Sequence, residues 1–270
     1  MNKKVIFITG ASSGLGKACA DYLLKKKHII FGTSRDADFT KLKYNEYGIN
    51  LLPLELQNEG SIKKAIDFVI SSCGKIDVVI NNAGYGFASP IEDAPIEEVR
   101  KLFAVNFLGT VSVIQQVVPI FRSQSSGLII NVSSLAGRFS LPFNGFYAGT
   151  KFALEAISES LYMELRGTNI RVVLVEPGDM FTNFTNSRKE FIKSNSYYKE
   201  LFNIALNITK RDEESGADPN TIAESINKII NSKKPKFRYA VGKEVWYIVL
   251  LHSILPNKIF LYFLGHHYGL

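Results

Sequence analysis

A glycine-rich turn close to the N-terminus limits the folds available to this chain. The apolar residues 5–9 lead directly into TGASSGLGKA, which places Gly10, Gly14 and Gly16 between a predicted strand and a predicted helix. Glycines at such a turn let a phosphate approach the backbone, and the N-terminus of the following helix offers N–H donors and the positive end of its dipole. The position of this loop predicts an α/β fold that binds a dinucleotide.

Short apolar runs alternate with segments of helical periodicity along the rest of the chain. The predicted strands cover residues 5–9, 29–33, 78–81, 128–133, 172–176 and 238–241. The predicted helices cover residues 16–26, 61–72, 96–122, 147–166 and 220–230. Most of these strands are apolar on both faces, as in a buried parallel sheet. The alternation predicts a single Rossmann-type domain over residues 1–270, a doubly wound parallel sheet with helices on both faces.

Two segments do not fit this alternation. Residues 181–216 are polar and aromatic without a clean strand, and we expect an excursion on the substrate side of the sheet. Residues 244–270 form an apolar tail, but its longest apolar run ends at Pro256 and is too short to span a bilayer, which needs about 20 residues. Three roles for the tail remain open, in this order: a helix covering the substrate mouth or core, a subunit contact, or peripheral contact with a membrane surface.

Composition and charge exclude several classes of protein. Two cysteines make no disulfide framework, and the first apolar run is too short for a secretion signal, so we expect a cytoplasmic protein. The net charge of +7 comes from scattered lysines without a basic-aromatic motif, which argues against nucleic acid and is compatible with an anionic cofactor. Three histidines, His252, His266 and His267, lack accompanying carboxylates or cysteines, and we predict no metal site.

The pentapeptide YAGTK carries a possible acid–base pair. Tyr147 and Lys151 are four residues apart, so on a helix both side chains face the same way. A fixed ammonium favours the phenolate and lowers its pKa from the usual value near 10. Such a phenol can act as a general acid or base.

Further motifs follow one another along the chain. They are NNAG at 81–84, VNFLG at 105–109, NVSS at 131–134, YAGTK at 147–151, and EPG at 176–178 followed by Thr182. Together with the G-x-x-x-G-x-G spacing of the first loop, they resemble the short-chain dehydrogenase/reductase family over roughly residues 4–243. The resemblance implies an enzyme that moves a hydride between a nicotinamide and a carbinol or carbonyl carbon.

The resemblance also implies a catalytic set of Asn106, Ser134, Tyr147 and Lys151. Tyr147 would exchange a proton with the substrate oxygen, and Ser134 would donate a hydrogen bond to the same oxygen. Lys151 would lower the tyrosine pKa and bind the nicotinamide ribose, while Asn106 would hold a water that relays protons. Ser134 is preferred to Ser133 because the family's serine usually lies thirteen residues before the tyrosine.

The nucleotide is expected to be NADP rather than NAD. In FGTSRDAD, Ser34 stands where NAD-selective members carry an aspartate, and Arg35 beside it suits a 2′-phosphate; Asp36 is interpreted as a turn residue. Glu55 departs from the aspartate that the family usually places beside the adenine. The predicted cofactor-binding set is Gly10, Ser12, Ser13, Gly14, Leu15, Gly16, Arg35, Glu55, Leu56, Asn82, Ala83, Gly84, Tyr147, Lys151, Pro177, Gly178 and Thr182.

The predicted function is therefore the NADP(H)-dependent interconversion of a secondary alcohol and a ketone, or an aldehyde. The stretch around Tyr147 resembles members that act on steroids and retinoids, so an apolar substrate is expected. Phe143, Phe146 and residues 181–206 could line an apolar pocket or could equally be core packing. A redox-sensing regulator that binds NADP(H) without turnover is the alternative function. Family members usually form homodimers or homotetramers through the segments 96–122 and 147–166, and we expect the same here.

Overall fold

The central element is a sheet of seven parallel strands in the order β3-β2-β1-β4-β6-β7-β9. The computed structural model describes residues 3–182, 184–243 and 245–270. The seven strands are β1 Val5–Ile8, β2 Ile29–Ser34, β3 Ile49–Pro53, β4 Val78–Asn81, β6 Gly127–Val132, β7 Ile170–Pro177 and β9 Arg238–Val241. Two short strands, β5 Phe87–Ala88 and β8 Lys189–Glu190, form a separate parallel pair. The strand order reverses direction at β1, as the predicted doubly wound sheet requires.

Helices cover both faces of the sheet. They are α1 Gly14–Lys25, α2 Glu59–Cys73, α3 Ile96–Phe103, α4 Gly109–Ser123, α5 Gly145–Glu164, α6 Phe184–Ser187, α7 Lys199–Glu214, α8 Pro219–Ile230, α9 Val245–Ile254 and α10 Asn257–His267. Apolar residues of α1 and α8 share one core cluster with the sheet, and those of α2, α4 and α5 share the cluster on the opposite face. The single Rossmann-type α/β domain is confirmed.

One strand of the central sheet was absent from the prediction, as were the two short strands β5 and β8. Strand β3 pairs with β2 from Ile49 to Pro53, and its sequence INLLP has a polar second residue and a terminal proline, both of which are depleted in strands. Asn50 is nevertheless buried, because its amide donates to the carbonyls of Ile30 and Asn45. A polar residue whose hydrogen bonds are all made inside the protein is tolerated in a strand.

The predicted helix at 96–122 is one continuous helical run built from α3, a π-helical turn at 104–108 and α4. By length and composition it is the one helix among the described residues that could cross a membrane. Residues such as Val113, Val117 and Phe121 are fully buried against the sheet, so its apolar composition matches a core position.

The two segments outside the predicted alternation contain helices. Residues 181–216 hold α6, β8 and the long α7, whose apolar residues Phe202, Ala205 and Leu206 are buried. The tail holds α9 and α10, separated at Pro256. Proline before α10 is compatible with its helix start, because the first helical N–H groups have no partner within the helix.

An ionic network connects the last strand to the longest helix. Arg238 on β9 contacts Glu155 and Glu159 of α5 and Glu176 of β7. Arg138 contacts Glu176 at 2.7 Å as well. Glu155 and Glu176 are almost completely buried, and buried carboxylates are stable only when paired. The two arginines therefore hold β7, β9 and α5 together.

Candidate active site

A cavity of about 1660 Å³ lies at the carboxyl ends of the strands. This edge is the usual ligand site of a doubly wound sheet, and the volume exceeds the roughly 300–1,000 Å³ of an ordinary small-molecule pocket. All but two of the predicted catalytic and cofactor-binding residues line it; the exceptions are Gly16 and Asn106. The structure thus brings residues from widely separated stretches of the chain, between Gly10 and Thr182, to one site.

The glycine loop has the geometry that a pyrophosphate needs. Gly10 and Gly14 have φ angles of +67° and +53°, which residues with side chains rarely adopt. Ser13 caps α1 without a side-chain hydrogen bond, so the first N–H groups of the helix remain available to an anion. Gly16 acts differently from the prediction: a Cβ there would collide with the Gly10 carbonyl oxygen, so its role is to let helix and loop pack closely.

The end of β2 provides the predicted discriminating residues. Ser34 is buried, whereas Arg35 and Asp36 are exposed to the cavity. The Asp36 N–H donates to the Ser34 hydroxyl at 3.3 Å, which agrees with a turn residue. Glu55 borders the same part of the cavity. These residues fit the adenine half of a dinucleotide.

Three of the four predicted catalytic residues, Ser134, Tyr147 and Lys151, line the cavity together. Tyr147 and Lys151 both lie on α5, with the Lys151 ammonium 5.7 Å from the centroid of the Tyr147 ring. Lys151 Nζ donates to the Val132 carbonyl at 2.9 Å. The Ser134 hydroxyl lies close enough to the phenol to lower its pKa, whereas the Ser133 hydroxyl faces Glu155. The geometry therefore favours Ser134 over Ser133 as the residue that acts beside Tyr147.

The electrostatics of the pair differ from the prediction. Burial raises the pKa of Tyr147, and the hydrogen bond from Ser134 opposes this rise only partly. Burial lowers the pKa of Lys151 to about 8, against an opposing contribution from Glu155. The pKa of the phenol thus shifts upward rather than downward as predicted, because desolvation disfavours the charged form of the buried tyrosine.

Asn106 lies in the π-helical turn and outside the cavity. Its side chain donates to the Tyr85 carbonyl at 2.9 Å and accepts from the Tyr85 N–H at 3.1 Å. The side chain is buried, and a Cβ on Gly84 would approach it within 3.1 Å. Asn106 therefore fixes the turn after β4, which borders the cavity; its predicted role in a proton relay stays a prediction.

A group of charged residues near Tyr147 was missed by the sequence analysis. We call Asp179, Arg188, Asp212, Glu213 and His267 the polar cluster; all five line the cavity. Asp179 directly follows Pro177 and Gly178, and that position was the one available signal. The other four come from residues 181–216 and the tail, where no fold was predicted, so their convergence was not visible in the sequence.

Part of the cavity lining is apolar and comes from the tail. It includes Ile248, Leu251, Leu255, Phe260, Phe263 and Leu264, from α9, α10 and the link between them, which agrees with the first of the three roles considered for the tail. Phe143 and Phe146 do not line it: they pack against Phe202 and Phe87 respectively. For these two residues, core packing is the correct interpretation.

Among the described residues, no group of three or more His, Cys, Asp or Glu side chains has the arrangement of a metal site. The polar cluster instead consists largely of ion pairs. Asp212 contacts His267 at 2.8 Å, and Glu213 contacts Arg188.

The chain is similar to known oxidoreductases along its whole length. A 3-ketodihydrosphingosine reductase from Bacteroides thetaiotaomicron is 38% identical over 273 residues, which cover 100% of both proteins. A short-chain dehydrogenase from Streptomyces avermitilis superposes with a TM-score of 0.81 and 26% identity, over 96% of this chain and 94% of that one.

Solved structures with lower identity share the fold and hold either nucleotide. A Burkholderia phymatum protein in complex with NAD has a TM-score of 0.80 at 22% identity, covering 96% of this chain and 95% of that one. A Burkholderia cenocepacia protein in complex with NADP has a TM-score of 0.73 at 20% identity, covering 96% of each. The model of the short chain dehydrogenase family matches residues 4–193. The chain is a member of the short-chain dehydrogenase/reductase family.

Proposed function

We propose that this oxidoreductase uses NADPH to reduce the ketone of a long-chain apolar substrate to a secondary alcohol. The observation that carries the proposal is the lining of the cavity, which combines Ser134, Tyr147 and Lys151 with the apolar side chains of α9 and α10. A substrate with a reactive carbonyl and a long apolar chain fits this combination.

A bound nicotinamide would supply the hydride to the carbonyl carbon. Tyr147 transfers its phenolic proton to the carbonyl oxygen, which completes the alcohol. Ser134 donates a hydrogen bond to that oxygen and stabilises the negative charge that develops there. Lys151 lies next to the phenol and stabilises the phenolate left by the transfer, until a proton from solvent restores it.

The substrate named for the Bacteroides relative supports a long-chain substrate for this protein. That protein is described as a reductase of 3-ketodihydrosphingosine, a long-chain compound with a ketone beside an amine. Its similarity extends over the whole chain and so includes α9 and α10. We therefore place this chain among reductases of long-chain ketones.

Preference for NADPH is supported by Arg35 and Ser34. Arg35 has no acidic partner among the residues that the structure describes and is exposed to the cavity. An unpaired guanidinium at this position suits a 2′-phosphate, while the serine offers no carboxylate to the ribose hydroxyls. The proximity of Ser134, Tyr147 and Lys151 favours turnover over a regulator that only binds the nucleotide.

The test is a spectrophotometric assay of NADPH and NADH oxidation with ketones of increasing chain length. We expect kcat/KM to rise with chain length, to be higher with NADPH, and to vanish in Tyr147→Phe. Equal rates with short and long ketones would contradict the assignment of the apolar part of the cavity. Turnover with NADH alone would contradict the role of Arg35.

We also propose a cytoplasmic homo-oligomer. The exposed Leu108, Phe152 and Tyr162 lie on the helices through which related enzymes usually associate. Light scattering at micromolar concentration should find a dimer or tetramer, and a monomer alone would contradict this proposal.

A further inference from the structure

Among the described residues, one carboxylate of the polar cluster has no partner. Glu213 contacts Arg188 and Thr185, and Asp212 contacts His267 and Arg211. Asp179 makes no side-chain hydrogen bond or ion pair with any residue in the described part of the chain. It is open to the cavity, so its carboxylate is available to a ligand.

Arg188 supplies the second observation. Its side chain is only 2% exposed, and one guanidinium nitrogen contacts Glu213. Its Nε and Nη1 atoms are buried without a partner among the described residues. Unpaired buried donors are rare in native proteins, and these belong to a residue that lines the cavity. An oxygen acceptor on a ligand would satisfy them.

The cluster lies beside the reacting position. Phe184, four residues before Arg188, packs against Tyr147 with ring centroids 5.7 Å apart, and Asp179, Arg188 and Tyr147 line the same cavity. The charges of Glu213, Arg188 and Asp179 also influence the pKa of Tyr147. The substituents of a ketone bound at Tyr147 therefore face a cavity wall that includes Asp179 and Arg188. Asp212 is paired with Arg211 and His267, and Glu213 with Arg188. Among the described residues, Asp179 is the carboxylate of the cluster that remains unpaired, which favours a cationic substituent over a carboxylate or a phosphate.

We propose that Asp179 and Arg188 recognise the polar head of a long-chain amino ketone. Asp179 accepts hydrogen bonds from the protonated amine beside the carbonyl, and Arg188 donates to a hydroxyl oxygen of the same head. This inference rests on the proposed function, because it assumes that the reacting group is the ketone of a long-chain substrate. The surroundings of Asp179 agree with it. Its side chain is open to the cavity, but the protein packed around it removes part of its hydration, and this desolvation together with Glu213 and Asp212 raises its pKa to about 6. A bound cation would offset both effects.

The experiment compares two substrates of equal chain length, 3-ketodihydrosphingosine and a plain 3-ketone without the amine and hydroxyl. The parent should prefer the amino ketone by about tenfold or more in kcat/KM, the gain expected from one charge-assisted contact. Asp179→Asn should lose this preference, mainly through KM for the amino ketone, so that kcat/KM falls about tenfold more on the amino ketone than on the plain ketone. Asp179→Glu, which keeps the charge, should retain part of the preference.

Two results would overturn the assignment while leaving the proposed function intact. One is a parent enzyme that reduces both ketones equally well. The other is an equal loss on both ketones in Asp179→Asn, which would show a structural role. Failure of the parent to reduce either ketone with either nucleotide would refute the proposed function and this inference together.

A different observation concerns the outer surface of α9 and α10. Six large apolar side chains of these helices are 44–70% exposed and do not line the cavity: Trp246, Leu250, Ile254, Ile259, Leu261 and Tyr262. Helix α9 is apolar on all sides, yet Val245 is its one buried residue among those described. An exposed apolar patch of this density marks an interaction surface.

The chemistry of the patch fits a lipid bilayer. Residues 245–270 contain no aspartate or glutamate, and the exposed Lys258 lies in the first turn of α10, in a protein of net charge +7. Tryptophan and tyrosine favour the interface between lipid and water. Other residues of the same two helices line the apolar part of the cavity, so contact with a bilayer would bring a lipid-dissolved substrate beside it.

We infer that α9 and α10 form a peripheral docking surface for anionic membranes. In sedimentation with phosphatidylglycerol vesicles, the parent should bind and a Trp246→Ser/Tyr262→Ser double variant should bind at least about tenfold less. Tyr47→Ser is the matched control, because Tyr47 is 81% exposed in the turn before β3. Reduction of a short soluble ketone should be unchanged in all three proteins, which checks folding.

Two results would overturn the membrane assignment. One is the absence of vesicle binding by the parent. The other is a parent that is dimeric in light scattering and a double variant that is monomeric with undiminished vesicle binding, which would identify a second copy of the chain as the partner.

Discussion

Replacing Lys151 with methionine should make this protein more stable at neutral pH while abolishing catalysis. Lys151 is buried, and burial lowers its pKa to about 8 from the usual 10.5. At pH 7 the folded protein therefore holds an ammonium in an environment that disfavours it. The site keeps this costly charge because the reaction requires it, as in other enzymes that exchange stability for activity.

The size of the effect follows from the pKa difference. A depression of about 2.5 pH units corresponds to about 3 kcal/mol of destabilisation by the charged form. Methionine removes that cost but loses the hydrogen bond from Lys151 to the Val132 carbonyl, worth about 1 kcal/mol. The expected net gain at pH 7 is about 2 kcal/mol.

The gain should depend on pH in a defined direction. Between pH 8 and about 10.5 the unfolded chain still binds the proton that the folded chain has released, so the stability of the parent rises with pH in this window. At pH 9.5 the lowered pKa of Lys151 still destabilises the folded parent by about 1.4 kcal/mol. Parent and variant should then be nearly equally stable, because the lost hydrogen bond offsets most of this difference. Below pH 8 the variant should be more stable than the parent by the full expected gain.

Urea unfolding followed by circular dichroism, at pH 7 and at pH 9.5, measures both quantities. The exposed Lys64 provides the control, since Lys64→Met should show no such pH-dependent difference. A Lys151→Met variant that is less stable than the parent at pH 7, or a difference that stays constant between the two pH values, would refute the assignment of a desolvated ammonium.

Substitutions elsewhere in the site should separate catalysis from binding. Tyr147→Phe should reduce kcat by about 10²–10⁴-fold, the usual contribution of a general acid, with NADPH binding unchanged in a fluorescence titration. Ser134→Ala should lower kcat/KM far more than Ser133→Ala in the same steady-state assay, and the reverse order would exclude Ser134 as the oxygen-binding residue. Arg35→Ala should weaken NADPH binding by about tenfold or more and leave NADH binding almost unchanged, because only NADPH carries the 2′-phosphate. Equal losses for both nucleotides in a titration at one ionic strength would show that Arg35 is structural.

The strands and helices that could be predicted are those whose local sequence pattern matches their surroundings in the folded protein. Strand β4, Val78–Asn81, is apolar and fully buried, and it was predicted with the same bounds. Strand β3 was missed because Asn50 and Pro53 are unfavourable in strands, and the contacts that satisfy Asn50 come from other segments. Helix α7 was missed because its polar face dominates the sequence, while its few apolar residues find their partners far away in the chain.

The candidate site shows the same division. The spacing of Tyr147 and Lys151 follows from helix geometry alone, so their proximity was predictable. Their protonation was not, because desolvation depends on how the whole chain surrounds them. The proximity of Asp179, Arg188 and Glu213 could likewise not be predicted. Arg188 and Glu213 are 25 residues apart, and no repeating pattern connects them.

The ionic network at Arg238 has a consequence for the order in which the enzyme matures. Arg238 is 83 residues away from Glu155 and 62 away from Glu176 along the chain, and β9 is the last strand of the sheet to be synthesised. Until β9 docks, the buried carboxylates of Glu155 on α5 and Glu176 on β7 lack the guanidinium of Arg238 as a counter-charge. Contacts of such long sequence separation form late in folding, and growing chains complete their folding as segments emerge. A nascent chain whose β9 has not yet been synthesised should therefore already have a folded nucleotide-binding loop but no catalytic activity. A chain truncated before residue 238 should likewise bind the nucleotide without catalysing the reaction.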